Sequence, residues 1–116
     1  MTETIYVGNA DADAVSHRGW LVGHFMPDDS ARHSGDVEVK WGIHPQGDRR
    51  PEWVASEQRS ALIVLFSGRF HVELPGRAVQ LATPGDYVVF HGVSHSWYAE
   101  EASVVMTVRW PSVSGY

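Results

Sequence analysis

The feature that most constrains this sequence is the short spacing of its turns, which leave room only for short segments between them. Pro27–Ser30, Ser67–Gly68, Leu74–Arg77 and Pro84–Asp86 are built from residue types that favour turns. Leu74–Arg77 fits a type II turn, because proline presets its own φ and the following glycine accepts a positive φ. The segments between the turns show no convincing helical period, so the sequence predicts short strands.

Several of these segments alternate with a period of two, as strands do. In 36–44 the apolar residues Val37, Val39, Trp41 and Ile43 share one face, and Glu38, Lys40, Gly42 and His44 share the other. That polar face either meets solvent or lines the mouth of a barrel. Residues 61–66 are apolar on both faces, as in a strand inside a sandwich, and 102–110 alternates again. About eight short strands predict an all-β sandwich or barrel.

Length and composition predict one globular domain. The 116 residues, 43% of them hydrophobic and 20% charged, suffice for one core. Residues 1–18 are polar and predict an N-terminal arm with little structure of its own, followed by a barrel domain over 19–116. The net charge of −5, without a basic stripe, argues against a nucleic-acid partner. The sequence has no cysteine, which excludes disulfides and cysteine-based zinc sites. With no signal peptide and no apolar run of membrane-spanning length, we expect a cytoplasmic protein without a membrane partner.

One stretch, 85–97, carries a more specific pattern. A strand over 87–90 is followed by the turn His91–Ser94, and His95 begins the next strand. This stretch resembles the second signature of the cupin family, in which glycine, a strand, a Pro-x-Gly-type turn and two further residues precede a histidine. Gly85, Asp86, Gly92 and His95 fall on the pattern, whereas Phe90 stands where the turn proline usually lies. The resemblance covers roughly residues 36–110 and implies a cupin-type jelly-roll β-barrel that pairs through edge strands into a homodimer.

The first cupin signature, with its His-x-His pair and glutamate between two glycines, is degenerate here. Gly47 and Gly68 can serve as the two glycines, but counting from Gly47 puts Trp53 and Ala55 at the histidine places. Counting back from the second glycine also places no histidine there, so His95 is the single matching ligand. We therefore expect no metal or one divalent ion (Fe, Mn, Ni or Zn), with no metal favoured. If an ion is bound, His95 and Glu57 are the first candidate ligands, and Glu52, His44 and His71 are further ones.

A barrel of this type implies a concave, mostly apolar pocket for a small molecule. The candidate ligand-binding residues are Lys40, Trp53, Arg59, Trp97 and Arg109. Basic side chains beside an apolar cavity would favour an anionic or carbonyl-bearing ligand, and tryptophans would supply flat walls. The alternatives are that the tryptophans are core residues and that the basic side chains reach the surface. His95 is the candidate catalytic residue, as a general acid or base near neutral pH.

Three functions remain open at this point. The first is a small cupin that binds a small polar or aromatic metabolite, possible enzyme types being isomerase, cyclase or oxygenase, with an atypical metal or none. The second is a non-catalytic cupin that binds or senses a ligand, which the missing His-x-His pair favours. The third is a structural or partner-binding barrel filled by its own tryptophans. The fold alone does not decide between them, because function depends on the site.

Overall fold

The computed structural model describes residues 3–55 and 58–113, and within these ranges the chain forms one short helix and eight strands. The elements are α1 (Ala10–Ser16), β1 (Trp20–Val22), β2 (Glu38–His44), β3 (Ser60–Ser67), β4 (Phe70–Leu74), β5 (Arg77–Leu81), β6 (Tyr87–His91), β7 (Ser96–Ala99) and β8 (Ser103–Trp110). The predicted all-β class is confirmed. No helix in the described ranges has the length and apolar character that crossing a membrane requires.

The strands form two antiparallel sheets. One has five strands in the order β1-β2-β8-β3-β6, and the other has three in the order β5-β4-β7. A cluster of buried apolar side chains joins them, comprising Ile63, Leu65, Phe70, Val72, Leu81, Ala99 and Val105. Every second residue of β3 belongs to this cluster or is buried beside it, as period two requires. The core therefore occupies one part of the interior and leaves the rest for polar side chains.

The polar face of β2 points into the barrel. Glu38 and Gly42 are buried, whereas Ile43 on the opposite face is 55% exposed. The register sets Glu38 opposite Arg109 and Lys40 opposite Thr107 on β8, and directly opposed residues in antiparallel strands share a face. Of the two interpretations of this alternation, the lining of a barrel interior is confirmed.

The N-terminal segment differs from the predicted arm, because residues 10–16 form α1. The Asn9 side chain caps this helix by accepting a hydrogen bond from the backbone N–H of Ala12 at 3.2 Å. Within the segment Tyr6 donates a hydrogen bond to Asp13 at 2.8 Å, and a tertiary hydrogen bond from the Trp41 indole to Asp11, also 2.8 Å, ties it to β2. Seven residues are too few for hydrophobic periodicity to show a helix, so local capping and contacts with β2 decide its structure.

Candidate functional site

The candidate site is a cavity of about 270 Å³ between the two sheets. Its wall combines basic side chains, one imidazole and aromatic rings, namely Lys40, Arg50, Arg109, His95, Trp20, Phe90 and Trp97. Strands β1, β2, β6, β7 and β8 and the loop after β2 each contribute to it. The site is therefore assembled from most of the barrel rather than from one local segment.

A buried carboxylate fixes the arginines at one end of this cavity. Glu38 is 1% exposed, and its Oε1 accepts hydrogen bonds from Arg59 Nη1 and from the Ser112 hydroxyl, both at 3.1 Å. Its Oε2 accepts from Arg109 Nε at 2.9 Å and from Arg109 Nη2. His24 extends the cluster, with Nδ1 2.8 Å from the Ser112 hydroxyl oxygen. Such charge-assisted bonds orient the guanidinium of Arg109 before any ligand arrives.

The basic side chains share one tryptophan. The Arg109 Cζ lies 4.8 Å from the centre of the Trp20 ring, and the Lys40 Nζ lies 5.4 Å from it. Both distances are in the range of cation–π attraction. Burial lowers the pKa of Lys40, and the positive charges of Arg109 and Arg50 lower it further. The lowered pKa of Lys40 therefore reflects its burial first and the neighbouring positive charges second.

His95 is held by backbone hydrogen bonds to Val54 and lies near the positive charges of the arginines. Its N–H donates to the Val54 carbonyl at 3.1 Å, and the Val54 N–H donates to the His95 carbonyl at 2.7 Å. Burial lowers the pKa of His95 to about 4, with Arg109, Arg50 and Arg59 contributing in the same direction. The imidazole is therefore neutral at pH 7, and its pKa lies below the near-neutral value expected from the sequence. Its Nδ1 is buried and has no hydrogen-bond partner within the described ranges.

The structure brings most of the predicted site residues together. Lys40, Trp97, Arg109 and His95 line the main cavity. Arg59 lies beside it, in an adjoining space of about 20 Å³ that His95 and Arg109 also line and that has room for one water molecule. Trp53 lies elsewhere: it is 45% exposed and lines an outer groove together with Trp97. Glu57 is outside the described residues.

Solved structures of known proteins resemble this arrangement of strands. KdgF from Halomonas sp. superposes with a TM-score of 0.62 and 26% identity, covering 71% of this chain and 74% of that one. An RmlC-like cupin from Shewanella frigidimarina superposes with a TM-score of 0.60 and 18% identity, covering 69% of this chain and 70% of that one. The chain has the cupin fold.

The comparison confirms the predicted jelly-roll barrel. No family model and no curated protein matches the sequence. DMSP lyase DddQ from Ruegeria pomeroyi is also similar, with a TM-score of 0.60 and 16% identity, covering 78% of this chain and 45% of that one. At this identity the likeness concerns the fold. What the cavity of this protein does must therefore be argued from its own side chains.

The described residues do not fit the divalent ion that the cupin fold often implies. Within 3–55 and 58–113, no three His, Asp or Glu side chains are grouped as metal ligands. His95 is surrounded by the positive charges that lower its pKa, those of Arg109, Arg50 and Arg59, and the same charges repel a cation. At the degenerate first signature, Ala55 lines the small space beside His95, and its methyl group offers no ligand atom.

Sequence reasoning missed three residues of the site. Arg50 follows β2 in a loop, where no periodicity assigns a direction to a side chain. Trp20 reaches the cavity because β1 pairs with β2 and sets it opposite Lys40, a register that the sequence does not reveal. Glu38 had a usable signal: it is a charged residue on the face of β2 that also carries Lys40 and Gly42, so an inward-facing strand requires a partner for it.

Proposed function

We propose that this cupin binds a small organic anion, with a carboxylate group and a flat or apolar body, inside the barrel. The observation that carries the proposal is the gathering of Lys40, Arg50 and Arg109 around one cavity beside the neutral ring of His95. An anionic group bound there would offset mutual repulsion between these cations. It would also be held where low polarity strengthens charge-assisted hydrogen bonds.

The charges nearest the cavity support an anion rather than a neutral ligand. Among the described residues, Glu38 is shared by Arg59 and Arg109, and Asp48 is the one carboxylate that raises the pKa of Lys40. Because Glu38 already orders the Arg109 guanidinium, an anion that binds there loses less conformational entropy on binding.

The walls support a flat or apolar ligand body. Trp97 stacks on Phe70 with 5.5 Å between the ring centres, which fixes the plane of its ring at the cavity wall. Trp20 is held in turn by cation–π contacts with Lys40 and Arg109. A volume of about 270 Å³ is near the lower end for small-molecule sites, so the ligand is a small metabolite. The open volume also supports a binding function over a barrel filled by its own tryptophans.

The proposal is tested by titrating the protein with benzoate, phenylacetate and phenylpyruvate, and with benzamide as the neutral analogue of benzoate. We expect isothermal titration calorimetry to detect at least one of the carboxylates, and benzoate to bind more tightly than benzamide. Arg50→Gln should weaken carboxylate binding about tenfold or more, since it removes a charged partner from the cavity. Arg49→Gln is the matched control, because Arg49 lies in the outer groove.

Two outcomes would contradict this function. One is that none of the three carboxylates binds. The other is that benzamide binds as tightly as benzoate and that Arg50→Gln changes nothing relative to Arg49→Gln. The non-catalytic alternative, a cupin that senses such an anion, predicts the same binding results without turnover.

A further inference from the structure

A second histidine, His44, is hydrogen-bonded to a carboxylate and packed against two aromatic rings. Its Nδ1 lies 2.7 Å from Asp48 Oδ2. A carboxylate at this distance fixes the tautomer with the proton on Nδ1 and leaves the lone pair on Nε2. The ring is also held by Phe70 and Trp97, whose ring centres lie 5.2 and 4.5 Å from its own. The His44 side chain is 12% exposed and that of Asp48 is 38% exposed, so the dyad is ordered but accessible.

Gly42 makes room for the His44 ring. A Cβ at this position would lie 2.7 Å from His44 Nε2 and 3.2 Å from a methyl group of Val105. The φ of Gly42 is not in the left-handed region, so its backbone conformation does not require glycine. A side chain at this position would instead collide with Nε2.

A second cavity, of about 400 Å³, adjoins the proposed binding site. His44, Asp48 and Gly42 line it on one side and residues of α1 on another, and Lys40 and Trp97 line both this cavity and the main one. A ligand that reaches past Lys40 and Trp97 into the second cavity would meet His44.

We propose that the His44–Asp48 dyad moves a proton at the carbon next to the carbonyl of a bound 2-oxo acid, so that this cupin is an isomerase of the keto–enol type. This inference rests on the proposed anion-binding function. His44 Nε2 takes the C–H proton, the electron pair of that bond forms the C=C bond, and the carbonyl electrons move to oxygen. The imidazolium then returns the proton to oxygen, which gives the enol, or to carbon. No oxidant or other co-reactant is required, and the ammonium of Lys40 stabilises the enolate.

Two other imidazoles, those of His95 and His71, are less suited to this role. His95 lies in the main cavity, but its low pKa makes it a weak base at neutral pH. His71 also pairs with a carboxylate, that of Glu100 at 2.8 Å, and stacks on Tyr98 with ring centres 4.3 Å apart. It lies on β4 and lines neither cavity. His71 is therefore a matched control for an imidazole–carboxylate pair without access to the ligand.

The test uses phenylpyruvate in D₂O, with loss of its methylene proton signal followed by NMR. We expect the wild-type protein to accelerate exchange above the rate in buffer alone. His44→Gln should lower the catalysed rate about a hundredfold or more, since general base catalysis contributes on this scale, while phenylpyruvate still binds by calorimetry. Gly42→Ala should also lower the rate, since its methyl group crowds Nε2. His71→Gln should exchange like the wild type.

The outcomes separate this inference from the proposed function. If phenylpyruvate binds but its exchange is not accelerated, or if His44→Gln and Gly42→Ala both retain the wild-type rate, the dyad proposal is overturned and anion binding stands. If none of the carboxylates binds, the proposed function fails first. Circular dichroism shows whether each variant is folded, and the two dyad variants give independent readings if one of them is not.

Discussion

At the scale of single residues, the low pKa of His95 makes the stability of the fold depend on pH. Its pKa is about 4 in the folded protein, below the value of 6.5 that an exposed imidazole has. Above pH 6.5 both states are neutral at this residue and folding is unaffected. Between pH 6.5 and about 4 the unfolded chain binds a proton that the folded chain does not, so stability is lost as the pH falls.

This predicts a measurable difference between the wild type and His95→Gln. One pKa unit is worth about 1.4 kcal/mol, and since the ring is only partly buried we expect a loss of about 1–2 kcal/mol on acidification. Urea unfolding at pH 7 and at pH 4.5 measures it. The variant should lose less stability between these values than the wild type does, and equal losses would show that His95 does not titrate as described.

Glu38 is the residue on which the arginine cluster depends. It is 1% exposed and accepts hydrogen bonds from Arg59, Arg109 and Ser112. Glu38→Gln removes the negative charge and leaves the two guanidinium groups together, which should lower the free energy of unfolding by about 3–5 kcal/mol. Glu100→Gln is the comparison, because Glu100 pairs with Arg69 at the surface and should change stability much less. Similar urea midpoints for the two variants would contradict a structural role for the cluster.

At the scale of the elements, two glycines allow the energetic cost of a left-handed backbone conformation to be measured apart from the cost of a steric clash. Gly68, between β3 and β4, has φ +90°, and a Cβ there would lie 2.7 Å from the Ser103 Cα and closer still to the Ala102 carbonyl oxygen. Gly76, in the turn between β4 and β5, has φ +69° with no atom within 4 Å of such a Cβ. We expect Gly76→Ala to cost about 1–2 kcal/mol, the cost of the left-handed conformation. Gly68→Ala should cost about 3 kcal/mol or more, since the backbone must also shift. Thermal unfolding of the two variants measures the difference. Equal costs would mean that the backbone at residues 102 and 103 shifts at little energetic cost.

The long strands could be predicted from the sequence, whereas the short helix and the loop contacts could not. Period two identified β2 and β8 and separated the face of Lys40 from the apolar face of β2, because a strand has only two faces. It did not decide which face points inward, and the candidate positions of Lys40 and Arg109 at the pocket came from the resemblance to cupins. The same logic could not place Trp53, whose segment outside the long strands has no such period. Helix α1 was missed since its stability comes from a cap and from contacts with β2. His44 and Asp48 are four residues apart, yet their pairing depends on how the chain turns after β2, which the sequence alone does not specify.

At the scale of the whole molecule, the outer face of the five-stranded sheet is apolar across four strands. Registered neighbours on this face are Val39, Trp41 and Ile43 of β2, Val104, Met106 and Val108 of β8, Leu62 and Val64 of β3, and Tyr87 and Val89 of β6. Ile43, Tyr87 and Val89 are more than half exposed. An apolar patch of this extent is typical of homodimer interfaces, which are more apolar than the rest of a protein surface. We therefore propose that two copies of this protein pair through this face.

A charge placed on this face tests the pairing. Val89→Lys puts an ammonium group in the interface of both copies, where it would be desolvated without a partner, so we expect the dimer to weaken about tenfold or more. Val7→Lys is the control, because Val7 is 88% exposed and belongs to no strand of the sheet. Sedimentation equilibrium should give the wild type and Val7→Lys twice the mass of one chain, and Val89→Lys a mass that falls on dilution. A wild-type protein that sediments as one chain at every concentration would show that this face is not a self-association surface, and its apolar character would then need a different partner.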